Sequence, residues 1–347
     1  MSTLLDQATA LHNQGRIAEA EQAYRSVLAA EPRQPDALAL LGVLLAARKE
    51  YKEAVFFLNQ AIACDPATPL FRFYLGNIFL EMGEDARAAE AFREALLRQA
   101  NFVDAHIKLA LILEKQNNLS EAAKHLYEAA KIMPDYGAVW TKLSELCLRN
   151  EDYALAYKAA ETAARLMPDN LAAHIALALA LDALDKEEAA VASLTRAIQI
   201  KPDFIEAWDM LASAYQKLGR LDDAEKTYRK SMDIAGCVLP DEDKRSVDEK
   251  EYSVQHWNLA LLELLRGDFR RGFAHYRARF KKTGRAQRLA FPRPIWNGED
   301  LRGKKIFVVG EQGFGDVLML CRFLPALKAK GAHVVLLAHE ALAKLLK

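Results

Sequence analysis

Residues 17–42, IAEAEQAYRSVLAAEPRQPDALALLG, carry the pattern that decides the fold. Ala20, Tyr24 and Pro32 each belong to a series with a spacing of 34. Alanine returns at Ala54, Ala88, Ala122, Ala156, Ala190 and Ala224 without a gap. Bulky side chains return at Leu58, Phe92, Leu126, Leu194 and Tyr228, and proline at Pro66, Pro134, Pro168 and Pro202. Ala100 and Gly236 occupy the two slots of that series that lack proline. A fixed period of this length marks a repeat architecture.

Within each period the residues predict two antiparallel helices, A and B. The alanine lets helix B approach helix A closely, and the bulky residue fills the groove beside it. Proline after helix B stops that helix and sets the angle of the next. Helix A carries its own signature, seen in LALLG (38–42), RFYLG (72–76), WTKLS (140–144) and WDMLA (208–212). One such unit cannot bury its apolar face alone, so neighbours must stack. The expected fold is mostly α, a right-handed superhelix of about eight helix-turn-helix units.

This pattern resembles the tetratricopeptide repeat family, over residues 1–238 as seven units. An acidic insertion, residues 239–252, interrupts the period, and an eighth unit follows at 253–286 with Gly272 in the alanine slot and Tyr276 in the bulky slot. The resemblance implies a concave groove lined by helix A, where a protein or peptide binds. The groove slots hold Val43, Leu70, Phe73, Asn77, Ile107, Leu111, Glu145, Ile175, Leu179 and Asp209, with Ala39, Thr141 and Ser213. The family's carboxylate clamp needs basic residues beside an asparagine, and Asn77 lacks them. Its asparagine ladder needs Asn before each signature leucine, and only Asn258 supplies one. A helical or extended apolar peptide fits better. The same apolar residues suit packing against the next repeat equally well.

Lysine plus arginine and aspartate plus glutamate number 47 each, so the overall charge selects no polyanionic partner. The basic stretch from Phe269 to Pro294 reads as a solvated face and linker, and a nucleic-acid partner is not expected. Cys64, Cys147, Cys237 and Cys321 lie far apart without metal-ligand spacing. His106, His174 and His256 share the slot of Trp140 and Trp208 and read as packing residues. No metal and no cofactor is expected. No secretory leader or membrane span is visible, and the expected location is cytoplasmic.

Residues 287–303, which include FPRPIWNGEDLRG, read as a linker, and residues 304–347 change to a β-α-β pattern. KKIFVVG predicts a strand, DVLMLCRFLPALKAKG a helix ended by Gly331, HVVLLAHE a second strand, and ALAKLLK the start of another helix. Between the first strand and the helix lies GEQGFGDV (310–317), neither a Walker A loop nor a G-x-G-x-x-G fingerprint. Gly313 and Gly315 would allow close approach of backbone to a phosphate or nucleotide.

GFGD, FLPAL and the linker pattern of Pro294, Trp296, Gly298, Leu301 and Gly303 resemble glycosyltransferases of the heptosyltransferase type, family 9, and their tetratricopeptide-fused relatives. That resemblance implies the beginning of the amino-terminal half of a two-domain GT-B-like fold, with Asp316 as the general base toward an acceptor hydroxyl. The same aspartate would also serve as a helix N-cap. The second domain, which holds most of the donor nucleotide in that family, is not among these residues. The expected function is a protein-interaction scaffold attached to an incomplete transferase domain and not catalytic as this chain. The alternative is a sugar transferase acting from a nucleotide sugar, completed by residues beyond 347 or by a partner chain. A small two-stranded unit needs cover on both faces. The face of Val254, Trp257, Leu261, Leu264 and Leu265 is the expected docking place.

Overall fold

The computed structural model describes residues 2–237, 254–276, 296, 299–309, 317–318, 321–337 and 340–342. Eight helical hairpins follow one another. The first four are α1 (Ser2–Asn13) with α2 (Ile17–Ala30), α3 (Pro35–Ala47) with α4 (Tyr51–Cys64), α5 (Pro69–Glu81) with α6 (Asp85–Arg98), and α7 (Val103–Lys115) with α8 (Leu119–Ile132). Next come α9 (Gly137–Arg149) with α10 (Tyr153–Leu166), α11 (Leu171–Asp182) with α12 (Glu187–Ile200), and α13 (Ile205–Lys217) with α14 (Leu221–Ile234). The eighth is α15 (Val254–Leu265) with α16 (Phe269–Tyr276). Each hairpin packs on the next, which builds the expected right-handed superhelix. The insertion and the end of the eighth unit lie outside the described residues.

The periodic residues do what their sizes require. All seven alanines of the Ala20 series are at most 1% exposed, and Tyr24, Leu58, Phe92 and Leu126 are buried beside them. A Cβ placed on Gly76 would come within 2.6 Å of the Phe92 ring, and one on Gly42 within 3.1 Å of Leu58 Cγ. The small residue of helix A thus meets the bulky residue of helix B. In the eighth hairpin Gly272 sits against Leu264, and Tyr276 stacks on Trp257 at 5.0 Å between ring centroids.

A second periodic feature ends every A helix. Gly15, Lys49, Gly83, Asn117, Glu151, Asp185, Gly219 and Gly267 all have φ between +54° and +82°. The following amide donates to a carbonyl five residues back, as in Glu84 N to Phe79 O at 2.8 Å and Asp152 N to Cys147 O at 2.9 Å. This is the Schellman closure, which satisfies the last carbonyls of the helix and turns the chain into helix B.

Strands β1 (Lys305–Val309) and β2 (His333–Leu337) pair in parallel, with Lys305 opposite His333 and Val309 opposite Leu337. The single helix expected before β2 is interrupted: α17 spans only Leu324–Ala329, and the chain turns at Arg322 and Phe323. Pro325 has no N–H, and its ring excludes the carbonyl four residues back, which accounts for the break. Gly331 ends α17 as expected, with φ +85°. The second helix begins as a 3-10 turn, Glu340–Leu342.

Leu301 is buried and Gly303 N donates to Gly331 O at 3.0 Å, so the end of the predicted linker packs into this unit. Val254, Leu261 and Leu265 remain exposed, as do Phe307, Val309 and Leu337 on the strands.

Candidate functional site

The A helices carry the groove residues, and a row of hydrogen bonds fixes where each helix starts. Arg72 Nη1 donates to Pro66 O at 2.8 Å, and Trp140 Nε1 donates to Pro134 O at 2.8 Å. Trp208 Nε1 donates to Pro202 O at 2.9 Å. His106 Nε2 lies 2.9 Å from Ala100 O, and His174 Nε2 lies 3.0 Å from Pro168 O. Each partner is the carbonyl six residues earlier, at the end of the preceding helix B. A carbonyl only accepts, so both histidines carry hydrogen on Nε2. In the third to seventh repeats the slot thus holds a side-chain N–H donor, whereas buried Leu38 fills it in the second, and the histidines there are joints between repeats.

In the fourth repeat the tautomer has a consequence. With Nε2 protonated, His106 Nδ1 is an acceptor, and His125 Nδ1 donates to it at 2.9 Å. Burial and the neighbouring His106 and Arg93 push the His125 pKa down, against the pull of Glu121 and Glu128. The eighth repeat repeats the spacing: His275 Nδ1 meets Glu263 Oε2 at 2.6 Å, beside the buried His256.

The predicted groove residues divide by exposure. Leu70, Leu111 and Leu179 are 39%, 45% and 42% exposed, and Glu145 is exposed as well. Val43, Asn77, Ile107, Ile175 and Ser213 are half-buried, whereas Ala39 and Thr141 are buried. Thr141 donates its hydroxyl to Gly137 O within its own helix. Phe73 is half-buried and packs on Phe102 at 4.8 Å and Phe92 at 5.6 Å, so it belongs to the joint between repeats. Asp209 accepts from Ser231 Oγ at 2.6 Å and from Gln255 Nε2 at 3.1 Å, which ties α13 to α14 and α15.

Charged groups on the A helices pair across repeats. Glu114 receives Lys142 Nζ at 3.0 Å and also Arg149, and Lys142 reaches Glu145 at 3.3 Å. Asp182 receives Lys217 at 2.6 Å. Glu114 with Arg149 and Asp182 with Lys217 share a separation of 35, one more than the repeat. Sequence reasoning missed this network, although an acid and a base at that spacing is a signal it contains.

Gly313, Gly315 and Asp316 lie outside the described residues. Among the described residues no group of three or more His, Cys, Asp or Glu side chains is placed to hold a metal ion. None of the described helices is long and apolar enough to cross a membrane.

A tetratricopeptide repeat model matches residues 5–69, 71–137 and 142–203, and a second matches 183–234. Protein FlbA of Caulobacter vibrioides is 26% identical over 241 residues, covering 62% of this chain and 40% of FlbA. Anaphase-promoting complex subunit 3 of Schizosaccharomyces pombe is 21% identical over 209 residues, covering 60% of this chain and 31% of that protein. The chain thus spans less than half the length of these curated relatives. The C-terminal part of a TPR repeat-containing protein from Cytophaga hutchinsonii superposes with TM-score 0.57 at 18% identity, over 67% of this chain and 96% of that one. That likeness concerns the fold. With the first repeat model alone matching more than half of its residues, the chain belongs to the tetratricopeptide repeat family.

Proposed function

We propose that the array is a protein-interaction scaffold that receives a peptide or protein segment on the concave surface of its A helices. The observation that carries this reading is the exposure of Leu70, Leu111 and Leu179 on helices whose remaining apolar positions are mostly covered. Leucines left accessible on α5, α7 and α11 offer apolar area that a ligand would remove from water. One relative is by its name a subunit of a multi-protein complex, which supports a scaffold role. The four cysteines are free of disulfides, which suits a reducing, cytoplasmic setting. The test is a partner-binding assay on Leu111→Asp and Leu179→Asp, with far-ultraviolet circular dichroism as the folding control. Unchanged binding by both variants would move the interaction off this surface.

A second reading concerns residues 304–347, for which we propose a glycosyltransferase-like beginning with Gly313 and Gly315 at a nucleotide and Asp316 as general base. Its support is the parallel β1–β2 pair with an intervening helix, closed by the turn of Trp296, Leu301 and Gly303. The donor-binding half would come from residues beyond 347 or from a partner chain. Calorimetric titration with nucleotide sugars tests it. Saturable binding lost in Asp316→Ala supports the reading, and no saturable binding by a chain supplied with that half opposes it.

A further inference from the structure

We propose that the segment held on the A helices is apolar and without net charge, neither acidic nor anchored by a terminal carboxylate; this rests on the scaffold reading above. Most basic groups at the ends of and beside the helices that carry these leucines are already paired. Lys142 is held by Glu114 at 3.0 Å and by Glu145 at 3.3 Å, and Arg149 is held by Glu114. Lys217 is held by Asp182 at 2.6 Å and lies 3.7 Å from Glu187, and Lys115 reaches Asp85 at 2.5 Å. Lys108 stands outside these pairs, with Asp104 one helical turn before it on the same helix.

Apart from Lys108, an incoming carboxylate therefore meets cations that already have partners. Binding it at Lys142 exchanges one carboxylate for another and leaves Glu114, whose side chain is only 18% exposed, with Arg149 alone. Little is gained by such an exchange at a partly solvated surface. An apolar ligand leaves every pair in place and covers Leu70, Leu111 and Leu179. The paired charges then act as a rim that excludes charged segments, which would lose hydration without gaining a partner.

Selection of a random displayed peptide library on the whole chain, followed by anisotropy titrations at low and high salt, tests this. The expected peptides are rich in leucine, phenylalanine, isoleucine or methionine with net charge near zero. Their affinity changes by less than about twofold with salt, as screening acts only on charged contacts. It falls at least roughly tenfold in Leu111→Asp and also falls in Leu111→Ala, whose small side chain guards against a folding artefact. It is unchanged in Lys131→Ala, which removes a charge from α8 and not from an A helix.

Selected peptides that are acidic, or that require a free carboxyl terminus and lose affinity in Lys142→Ala, overturn this inference and leave the scaffold reading standing. Selection that yields no peptide sensitive to Leu111→Asp or Leu179→Asp removes both.

Discussion

The Trp208 indole nitrogen donates to the carbonyl of Pro202 at 2.9 Å, and in doing so joins the first turn of one repeat to the last residue of the one before. Arg72, His106, Trp140 and His174 make the corresponding bond in their own repeats. Three residue types with little else in common share a donor at the same reach. Replacing Trp208 by phenylalanine keeps the apolar ring and deletes the N–H, leaving Pro202 O without its partner. The expected loss is about 1 kcal/mol, seen as a lower urea midpoint for the carboxyl-terminal repeats. Trp208→His, which restores a donor, is expected to recover part of it.

Helix A termini supply a test of backbone strain. Glu151 has φ +61° and Lys49 φ +64° in a position that Gly15, Gly83 and Gly219 fill elsewhere. A side chain at such φ costs on the order of 1 kcal/mol. Glu151→Gly is therefore expected to raise thermal stability, while Gly83→Glu lowers it. Differential scanning fluorimetry on both variants reads the two signs.

Close helix approach predicts the reverse for another glycine. Gly76 lies inside α5, where alanine is intrinsically the better helix former. Its missing Cβ, however, is the space that the Phe92 ring occupies, at 2.6 Å. Gly76→Ala is expected to destabilise by about 1–3 kcal/mol through overpacking, measured by equilibrium urea unfolding. The double variant with Phe92→Leu relieves the clash and should lose less than the two single changes together.

The His106–His125 contact makes the fourth repeat sensitive to acid. Burial lowers the His125 pKa in the folded chain, so the unfolded chain binds its proton first as pH falls. The stability it contributes is full above the ordinary histidine pKa of about 6.5 and is lost progressively below that value. Amide exchange in α7 and α8 should accelerate between about pH 7 and pH 5 relative to α3 and α4. His125→Asn is expected to flatten that dependence, and an equal slope in the variant would assign it elsewhere.

These features differ in how they can be read from the chain. The alanine and proline series announce the hairpins because each records a local demand, close approach or a stopped helix. The positive-φ position shows only through its glycines, since Lys49, Glu151 and Asp185 hide it. The cross-repeat pairs at Glu114 and Asp182 require the offset of 35, which follows from how stacked helices stagger and not from the repeat itself. Similarly, Phe73 and Thr141 sit in groove slots by spacing, yet the structure turns Phe73 into the Phe92–Phe102 contact and buries Thr141. Spacing identifies the helix face, and neighbouring side chains decide what remains open to a ligand.

Asp209 supplies the last test, because its groove slot and its bonds point to different roles. Its carboxylate accepts from Ser231 of α14 and Gln255 of α15, and so bridges the 14-residue insertion that separates the seventh hairpin from the eighth. Hydrogen bonds to a charged acceptor contribute about 1.5–3 kcal/mol each, more than the neutral bonds found along most of the array. Asp209→Ala should therefore loosen α15 and α16, with faster amide exchange there and protection unchanged in α3 to α6. Asp209→Asn retains one acceptor oxygen and should give an intermediate effect. A groove role predicts the opposite result: lost ligand affinity with exchange in α15 and α16 unaltered.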